Sequence, residues 1–333
     1  MGTMLLAGDV GGTKTQLGLY SAVAGRPVRR CARRYVTLEF DGLVDMVGAF
    51  LGSSGWDGPI DAACVGVAGP VQGRTSRLTN VPWLVDADDV ARHFAIDRVR
   101  LLNDVEATAH AVSALDDDQL AVLQRGKPDP NGNAALIAAG TGLGEALLHR
   151  VGKRFMPVAS EAGHADFAAR TSREAELQRA LTDRFGRASY ERVISGPGLV
   201  NIHAFAHAAA SCPAVANGAP AADRPALVSR SGLAGDCPAC AETLELFAGV
   251  LGAEAGNLGL RSTATAGVFL GGGIPAKILP ALQTATFLDA FRDKAPMSRL
   301  VAAMPVAVIV EPDAALLGAA VAAAGLLADN DEA

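Results

Sequence analysis

The chain has 333 residues, half of them hydrophobic and 19% charged, with a formal net charge of -6. That length and apolar content suit two domains with separate cores and exclude general disorder. The acidic balance, with no basic stripe, excludes nucleic acid as the main partner.

Met4 to Ala7 is an apolar run that leads directly into Gly8-Asp9-Val10-Gly11-Gly12-Thr13-Lys14-Thr15. Adjacent glycines let backbone N–H groups approach an anion that side chains would otherwise block. Asp9 adds a hard oxygen ligand of the type Mg²⁺ takes, usually through water. From Thr15 to Tyr20 the pattern alternates with period two, so the glycines join two strands and do not open a helix. A Rossmann turn therefore fails, and so does a P-loop, because Lys14-Thr15 follows threonine and not glycine. A phosphate-holding hairpin or an ordinary tight turn remains.

Downstream, the helical spacing of Leu43, Val47 and Leu51 places a helix behind a capping Asp41. Ile60 to Ala68 reads as a strand. Asp86 caps a helix bearing Val90 and Phe94, with Asp89 as a capping-box-like partner. Val99 to Leu102 is the next strand and stops at Asn103-Asp104. Alternating strands and helices define an α/β domain. Past residue 113, Asp116-Asp117-Asp118 reads as a solvated helix start at the crossing into a second domain.

The second half repeats the opening theme. Leu136 to Ala139 ends in Gly140-Thr141-Gly142-Leu143-Gly144, and Glu145 to Leu148 reads as the returning strand. Helices follow at about Thr171 to Phe185 and from Ser195 into the His203 region. Ala208 to Gly235 breaks periodicity and reads as a mobile surface excursion. A helix from about Ala241 to Leu260 precedes a third strand-to-glycine corner, Gly267 to Leu270 followed by Gly271-Gly272-Gly273. Three such corners fit one nucleotide held between two related halves. Val306 to Val310 is a strand, and Ala314 to Ala328 is too short and too Ala-rich to span a membrane, so it reads as a helix buried against a sheet. Asp329 to Ala333 is expected to fray.

Three groups of residues carry chemistry. Asp104 stands at a strand end, where α/β sheets present reactive groups, and can take the proton of a hydroxyl attacking a phosphoryl group. It also reads as the N-cap of a helix over Val105 to Val112, and the two roles are compatible. Glu161-Ala162-Gly163-His164 forms the second cluster, and Glu191, just before Ser195-Gly196-Pro197-Gly198, the third element. Two carboxylates and an imidazole suit the hydroxyls of an uncharged polyol and repel an anion. Solvated surface glutamates are the competing reading of Glu161 and Glu191. For His164 the competing roles are a structural histidine and a metal ligand. The five cysteines, Cys31, Cys64, Cys212, Cys237 and Cys240, are odd in number and scattered. With no signal peptide ahead of the first strand, they read as free thiols in a reducing cytoplasm. Zinc at Cys237-Pro238-Ala239-Cys240 would need four ligands, which only Cys212 with His203 or His207 complete, so the pair reads as incidental thiols beside a loop.

Taken together, these residues resemble the bacterial glucokinase family of the actin/hexokinase/Hsp70 superfamily. The resemblance runs through Gly8 to Thr13, Thr79-Asn80-Val81-Pro82-Trp83, Leu102-Asn103-Asp104 and Ala139 to Gly144. It continues through Glu161 to Ala168, through the distinctive block Glu191 to Asn201, and through Gly271-Gly272-Gly273-Ile274. It implies an α/β fold of two actin-like, ribonuclease H-like domains around a central cleft. Residues 1–113 with 312–333 would form the smaller domain and 114–311 the larger. The implied reaction is ATP-dependent phosphorylation of the glucose 6-hydroxyl with Mg²⁺, in the cytoplasm, by a homodimer with no membrane partner. By matching position Asp104 is the general base, Asn103 a sugar contact, and Glu161, His164 and Glu191 hold other hydroxyls. Gly8, Asp9, Val10, Gly11, Gly12 and Thr13, with Gly140, Thr141 and Gly142, hold the phosphates. Gly271, Gly272 and Gly273 lie near the adenosine.

Two positions depart from the pattern. Lys14 stands where many members carry asparagine, adding a positive charge near the phosphates, and Ala162 replaces a frequent glycine. The cysteine-rich zinc motif of the related ROK sugar kinases is missing. A kinase for another neutral hexose (fructose, mannose or an amino sugar) is the nearest rival. A non-catalytic sugar sensor is the second rival, disfavoured because the chain starts on a core strand with no room for a DNA-binding domain ahead of it.

Overall fold

A computed structural model of the chain describes residues 2–23, 26–78, 81–152, 154–208, 212–215 and 219–328. Thr79 and Asn80, residues 209–211 and 216–218 of the aperiodic stretch, and the end expected to fray, Asp329 to Ala333, lie outside the described residues. The chain divides into two compact units, one built from Met1–Asp116 with Glu311–Ala333, the other from Asp117–Val310.

The first unit opens with strands β1 (Met4–Val10), β2 (Lys14–Ser21) and β3 (Val28–Val36), followed by helix α1 (Leu43–Ser54) and strand β4 (Ala62–Val67). A small sheet of β5 (Val71–Gln72), β6 (Thr75–Arg77) and β7 (Leu84–Asp86) leads into helix α2 (Ala87–Phe94), strand β8 (Val99–Asn103) and helix α3 (Asp104–Ala111). The main sheet has the order β3-β2-β1-β4-β8, with β1, β4 and β8 parallel and β1, β2 and β3 antiparallel. β4 is apolar or glycine at every position and buried throughout, as a parallel strand covered on both faces must be. Its core joins Leu6, Val10, Leu17 and Val65 to Met46 and Phe50 of α1. Gly42, not Asp41, is the α1 N-cap, and it supplies no side-chain bond. Asp86 does cap α2, accepting the Asp88 N–H at 2.8 Å, but Asp89 pairs with Arg92 one turn on and closes no capping box with Asp86.

The second unit carries strands β9 (Leu120–Gln124), β10 (Ala134–Ala139), β11 (Leu143–Val151) and β12 (Arg154–Ser160). Helices α4 (Ser172–Phe185), α5 (Gly196–His207), α6 (Arg224–Ala234) and α7 (Pro238–Ser262) come next, then strand β13 (Gly267–Gly271). Helices α8 (Leu279–Leu282), α9 (Ala285–Arg292) and α10 (Ser298–Ala303) precede strand β14 (Val306–Ile309). The sheet order is β12-β11-β10-β13-β14-β9. Its first five strands repeat the first unit's plan: an antiparallel trio whose innermost strand begins a parallel set of three. The halves are therefore related by topology as well as by their glycine turns. In the stretch expected to be a surface excursion, α6 forms with Pro225 in its first turn, and its Val228 and Ser231, three residues apart, are buried. Proline suits a helix start, and a spacing of three puts both side chains on one face.

Helix α11 (Ala314–Ala328) belongs to the first unit, where it packs on α3, β1 and β4. Among the described residues no helix is long and apolar enough to cross a membrane. Alanine and glycine let α11 approach α3 closely: a Cβ built on Gly318 would lie 1.7 Å from the Ala107 carbonyl oxygen. That distance is incompatible with any side chain, so Gly318→Ala forces the helices apart. We expect a loss of about 1–3 kcal/mol in urea unfolding, as for other overpacked cores. An unchanged midpoint would mean that the helices separate without cost.

Candidate active site

In the first unit the turn at Gly11, Gly12 and Thr13 closes β1 onto β2, with the Gly11 N–H donating to the Lys14 carbonyl at 3.0 Å. Thr37 holds this turn from outside the hairpin. Its hydroxyl donates to the Gly11 carbonyl at 2.8 Å, and its N–H to the Thr13 carbonyl at 3.1 Å. The Thr15 and Thr37 hydroxyls lie 3.0 Å apart in a buried contact. Thr13 and Lys14 are exposed on the turn, whereas Gly8 and Val10 are buried within β1 and support it without forming its surface.

Asp9 is half-buried beside that turn, and its pKa is raised from 3.8 to about 6. Burial is the largest cause, followed by the charges of Asp104 and Asp313, while Arg34 acts the other way. Asp313 is itself paired with Arg29 at 2.6 Å and Arg34 at 3.2 Å. Burial beside two further carboxylates is an environment in which a nearby cation favours the charged form of Asp9.

Asp104 is the first residue of α3. Asn103 is the N-cap: its side-chain oxygen accepts the Val105 N–H at 2.9 Å, while its amide donates to the Gly69 carbonyl at 3.3 Å. The cap assigned from sequence to Asp104 thus belongs to its neighbour, although Asp104 Oδ1 also lies 2.9 Å from the Val105 N–H. Gly66 of β4 brings the start of α3 down onto the sheet, since a Cβ there would lie 2.8 Å from the Ala107 Cβ.

In the second unit the turn at Gly140, Thr141 and Gly142 joins β10 to β11, with the Gly140 N–H bonded to the Gly142 carbonyl at 2.9 Å. Glu191 Oε2 accepts the Leu143 N–H at 3.0 Å, and a Cβ on Gly142 would meet that oxygen at 2.7 Å. The glycine therefore makes room for the carboxylate. Glu191 Oε1 lies 3.9 Å from His164 Nδ1, and Glu161 Oε2 lies 3.9 Å from His164 Nε2. The three residues share one imidazole, with Glu191 one-third exposed and Glu161 and His164 open to solvent.

The 191–201 block holds itself together. The Ser195 hydroxyl donates to the Glu191 carbonyl at 2.7 Å and caps α5 by accepting the Gly198 N–H at 2.9 Å. The Asn201 amide donates to the Arg192 carbonyl at 3.0 Å, and the Gly196 N–H reaches the Gly140 carbonyl at 2.8 Å. The third corner meets the same place: Gly272, at φ +83°, packs on the Ala139 carbonyl, and the Ile274 N–H donates to that oxygen at 3.1 Å. Gly271 is buried in β13, whereas Gly272 and Gly273 are exposed.

Sequence reasoning missed Thr37, Arg34, Gly66 and Asp313. The signal for Gly66 was present, a glycine within an apolar strand. The other three are ordinary residues far from the motifs they touch.

A family model described as Glucokinase matches residues 6–326. A glucokinase of Nostoc sp. is 36% identical over 97% of this chain and 100% of its own length. A crystal structure of glucokinase from an Antarctic psychrotroph has a TM-score of 0.87 at 29% identity, covering 98% of this chain and all of that one. A ROK family glucokinase from Streptomyces griseus, solved with glucose and AMPPNP, has a TM-score of 0.62 at 19% identity over 96% of this chain and 99% of that one. The fold is that of the actin-like sugar kinases.

The electrostatics of Asp9 give a pH signature. Between about pH 4 and 6 the folded chain retains a proton that the unfolded chain has lost, so stability falls as pH rises through that window. Asp9→Asn removes this cost. The ligand-free variant is expected to exceed the parent in stability at pH 7.5, by on the order of 1–3 kcal/mol, with the gap closing towards pH 4. Thermal unfolding at several pH values checks this, and a constant gap would contradict it.

Proposed function

The chain belongs to the glucokinase family, and from that premise we propose that it transfers the γ-phosphoryl group of ATP to the 6-hydroxyl of D-glucose. What carries this reading is the match over residues 6–326, which spans both units and includes every residue given a role below. Asp104, at the end of β8, accepts the proton of the 6-hydroxyl as that oxygen attacks the γ-phosphorus. The bond from γ-phosphorus to the bridging oxygen breaks, and ADP leaves with that oxygen.

Glu161 and Glu191 accept hydrogen bonds from sugar hydroxyls, with His164 between them. Their negative charge disfavours an anionic sugar at the same place. Asn103 orients the start of α3 through its cap and adds a sugar contact. The two glycine turns turn backbone N–H groups towards the phosphates. Asp9 would hold Mg²⁺ through water, and magnesium supplies charge neutralisation at the β- and γ-phosphates when bound.

For the nucleoside, a cavity of about 490 Å³ within the second unit is mostly apolar and lined by Leu199, Pro225, Ser229, Leu233, Ile274 and Lys277. Its lining includes Ile274, the residue after the Gly271–Gly273 corner, which supports adenine and ribose as its occupants. A cytoplasmic setting and a homodimer complete the proposal.

Asp104→Ala is expected to lower kcat by roughly 10²-fold or more with the unfolding midpoint retained. Unchanged turnover would remove Asp104 from proton transfer. Glu191→Gln retains an oxygen for the Leu143 N–H but loses the charge, so the KM for glucose should rise more than that for ATP. A larger rise for ATP would assign Glu191 to the nucleotide. A coupled assay with MgATP over a panel of sugars should find glucose among the best acceptors, and its failure to do so would favour another neutral hexose.

A further inference from the structure

A second cluster lies outside the residues assigned to the reaction. His203 and His207 stand one turn apart at the end of α5, on the same face, with ring centroids 4.0 Å apart. Cys237 is the N-cap of α7, Cys240 lies in its first turn, and Cys212 comes from the connection between α5 and α6. One ligand atom from each of His203, His207, Cys212 and Cys240 lies within 4.8 Å of every other. We propose that these four side chains bind a structural zinc ion that fastens the end of α5 to the start of α7.

The distances suit that ion. The Cys212 and Cys240 sulfurs are 3.7 Å apart, and all five cysteines are free thiols. A tetrahedral site with Zn–S bonds of about 2.3 Å requires an edge of about 3.8 Å between two sulfurs, whereas a disulfide would bring them to about 2.05 Å. Two imidazoles and two thiols are a donor set that zinc takes in closed structural sites.

The hydrogen bonding points the same way. His207 Nδ1 lies 3.0 Å from the His203 carbonyl, which can only accept, so Nδ1 carries the proton and Nε2 keeps its lone pair. A ligating histidine is commonly oriented by this kind of backbone contact. His203 Nε2 is buried with no hydrogen-bond partner among the described residues, an uncommon state for a buried polar atom and one that a bound cation resolves. Cys237 Sγ sits 3.2 Å from His207 Nε2, at the edge of the cluster, as a neighbour to the four ligands.

A structural need exists as well. Among the described residues, Val228, Cys237 and Cys240 form a small apolar cluster separate from the main core of the unit, with Cys212, Val215 and Ala239 packed at its margin. So little apolar area anchors a long connection weakly, and a metal cross-link supplies what packing does not. The sequence offers Cys212 with His203 or His207 as completing ligands, but not the convergence of these side chains that the fold supplies. Folding of α5 brings in both histidines, and the connection supplies Cys212.

The test uses the full chain purified without a metal-affinity tag. Elemental analysis is expected to find one zinc per chain, and cobalt(II) substitution to give a tetrahedral visible spectrum with thiolate-to-metal charge transfer. Chelation should lower the melting temperature, and zinc should restore it. His207→Ala and Cys240→Ser should lose the metal, while Cys31→Ser, in the other unit, should keep it. If either ligand variant fails to fold, the metal content and cobalt spectrum of the parent chain still decide. A parent chain that binds no zinc on dialysis against micromolar metal would overturn the proposal, as would a mass two hydrogens short that identifies a Cys212–Cys240 disulfide.

Discussion

The bond from the Leu143 N–H to the Glu191 carboxylate, 3.0 Å long, organises the second unit's site. It joins the glycine turn to the block that carries the carboxylate. Gly142 must lack a Cβ for the carboxylate to arrive, and the Ser195 hydroxyl fixes the Glu191 carbonyl from behind. The Gly196 N–H then returns to the Gly140 carbonyl, so turn and block form one closed circuit of hydrogen bonds. A charge-assisted bond of this kind contributes about 1.5–3 kcal/mol. It also leaves the other Glu191 oxygen turned towards His164.

The first unit solves the corresponding problem with a different residue. There the turn between β1 and β2 is held by Thr37, which bonds to both Gly11 and Thr13. The strand plan is the same in the two sheets, and the turn occupies the same topological place in each. The chemistry placed beside the turns differs: a largely desolvated Asp9 near the charges of Asp104 and Asp313, against two glutamates and a histidine exposed to solvent. Burying Asp9 beside other carboxylates is a stability cost at neutral pH of the kind tolerated for function.

Much of this was legible in the sequence. Apolar runs ending in glycine marked the turns, because few other sequences leave a buried strand that abruptly. The position of Asp104 was legible because the apolar run of β8 stops at Asn103-Asp104, where a helix begins. The cap of α3 was misassigned by one residue, since Asn103 and Asp104 are both good caps and only the backbone decides. Helix α6 was missed because proline and glycine dominate the stretch around it. The contacts of Thr37, Arg34 and Asp313 were invisible, as each depends on pairings 22 to 284 residues apart that no local pattern encodes. The His203 to Cys240 cluster lay between these extremes: its residues were visible, but its convergence was not.

The reaction at stake is transfer of the γ-phosphoryl group of ATP to the 6-hydroxyl of glucose. Its most direct test is phosphorus and carbon NMR of the products formed by the parent chain with MgATP and glucose. The expected result is phosphate on the C6 oxygen of glucose, formed one for one with ADP, and ATP left essentially intact when sugar is withheld. Release of ADP at the same rate without glucose, or no phosphorylated sugar at all, would contradict it.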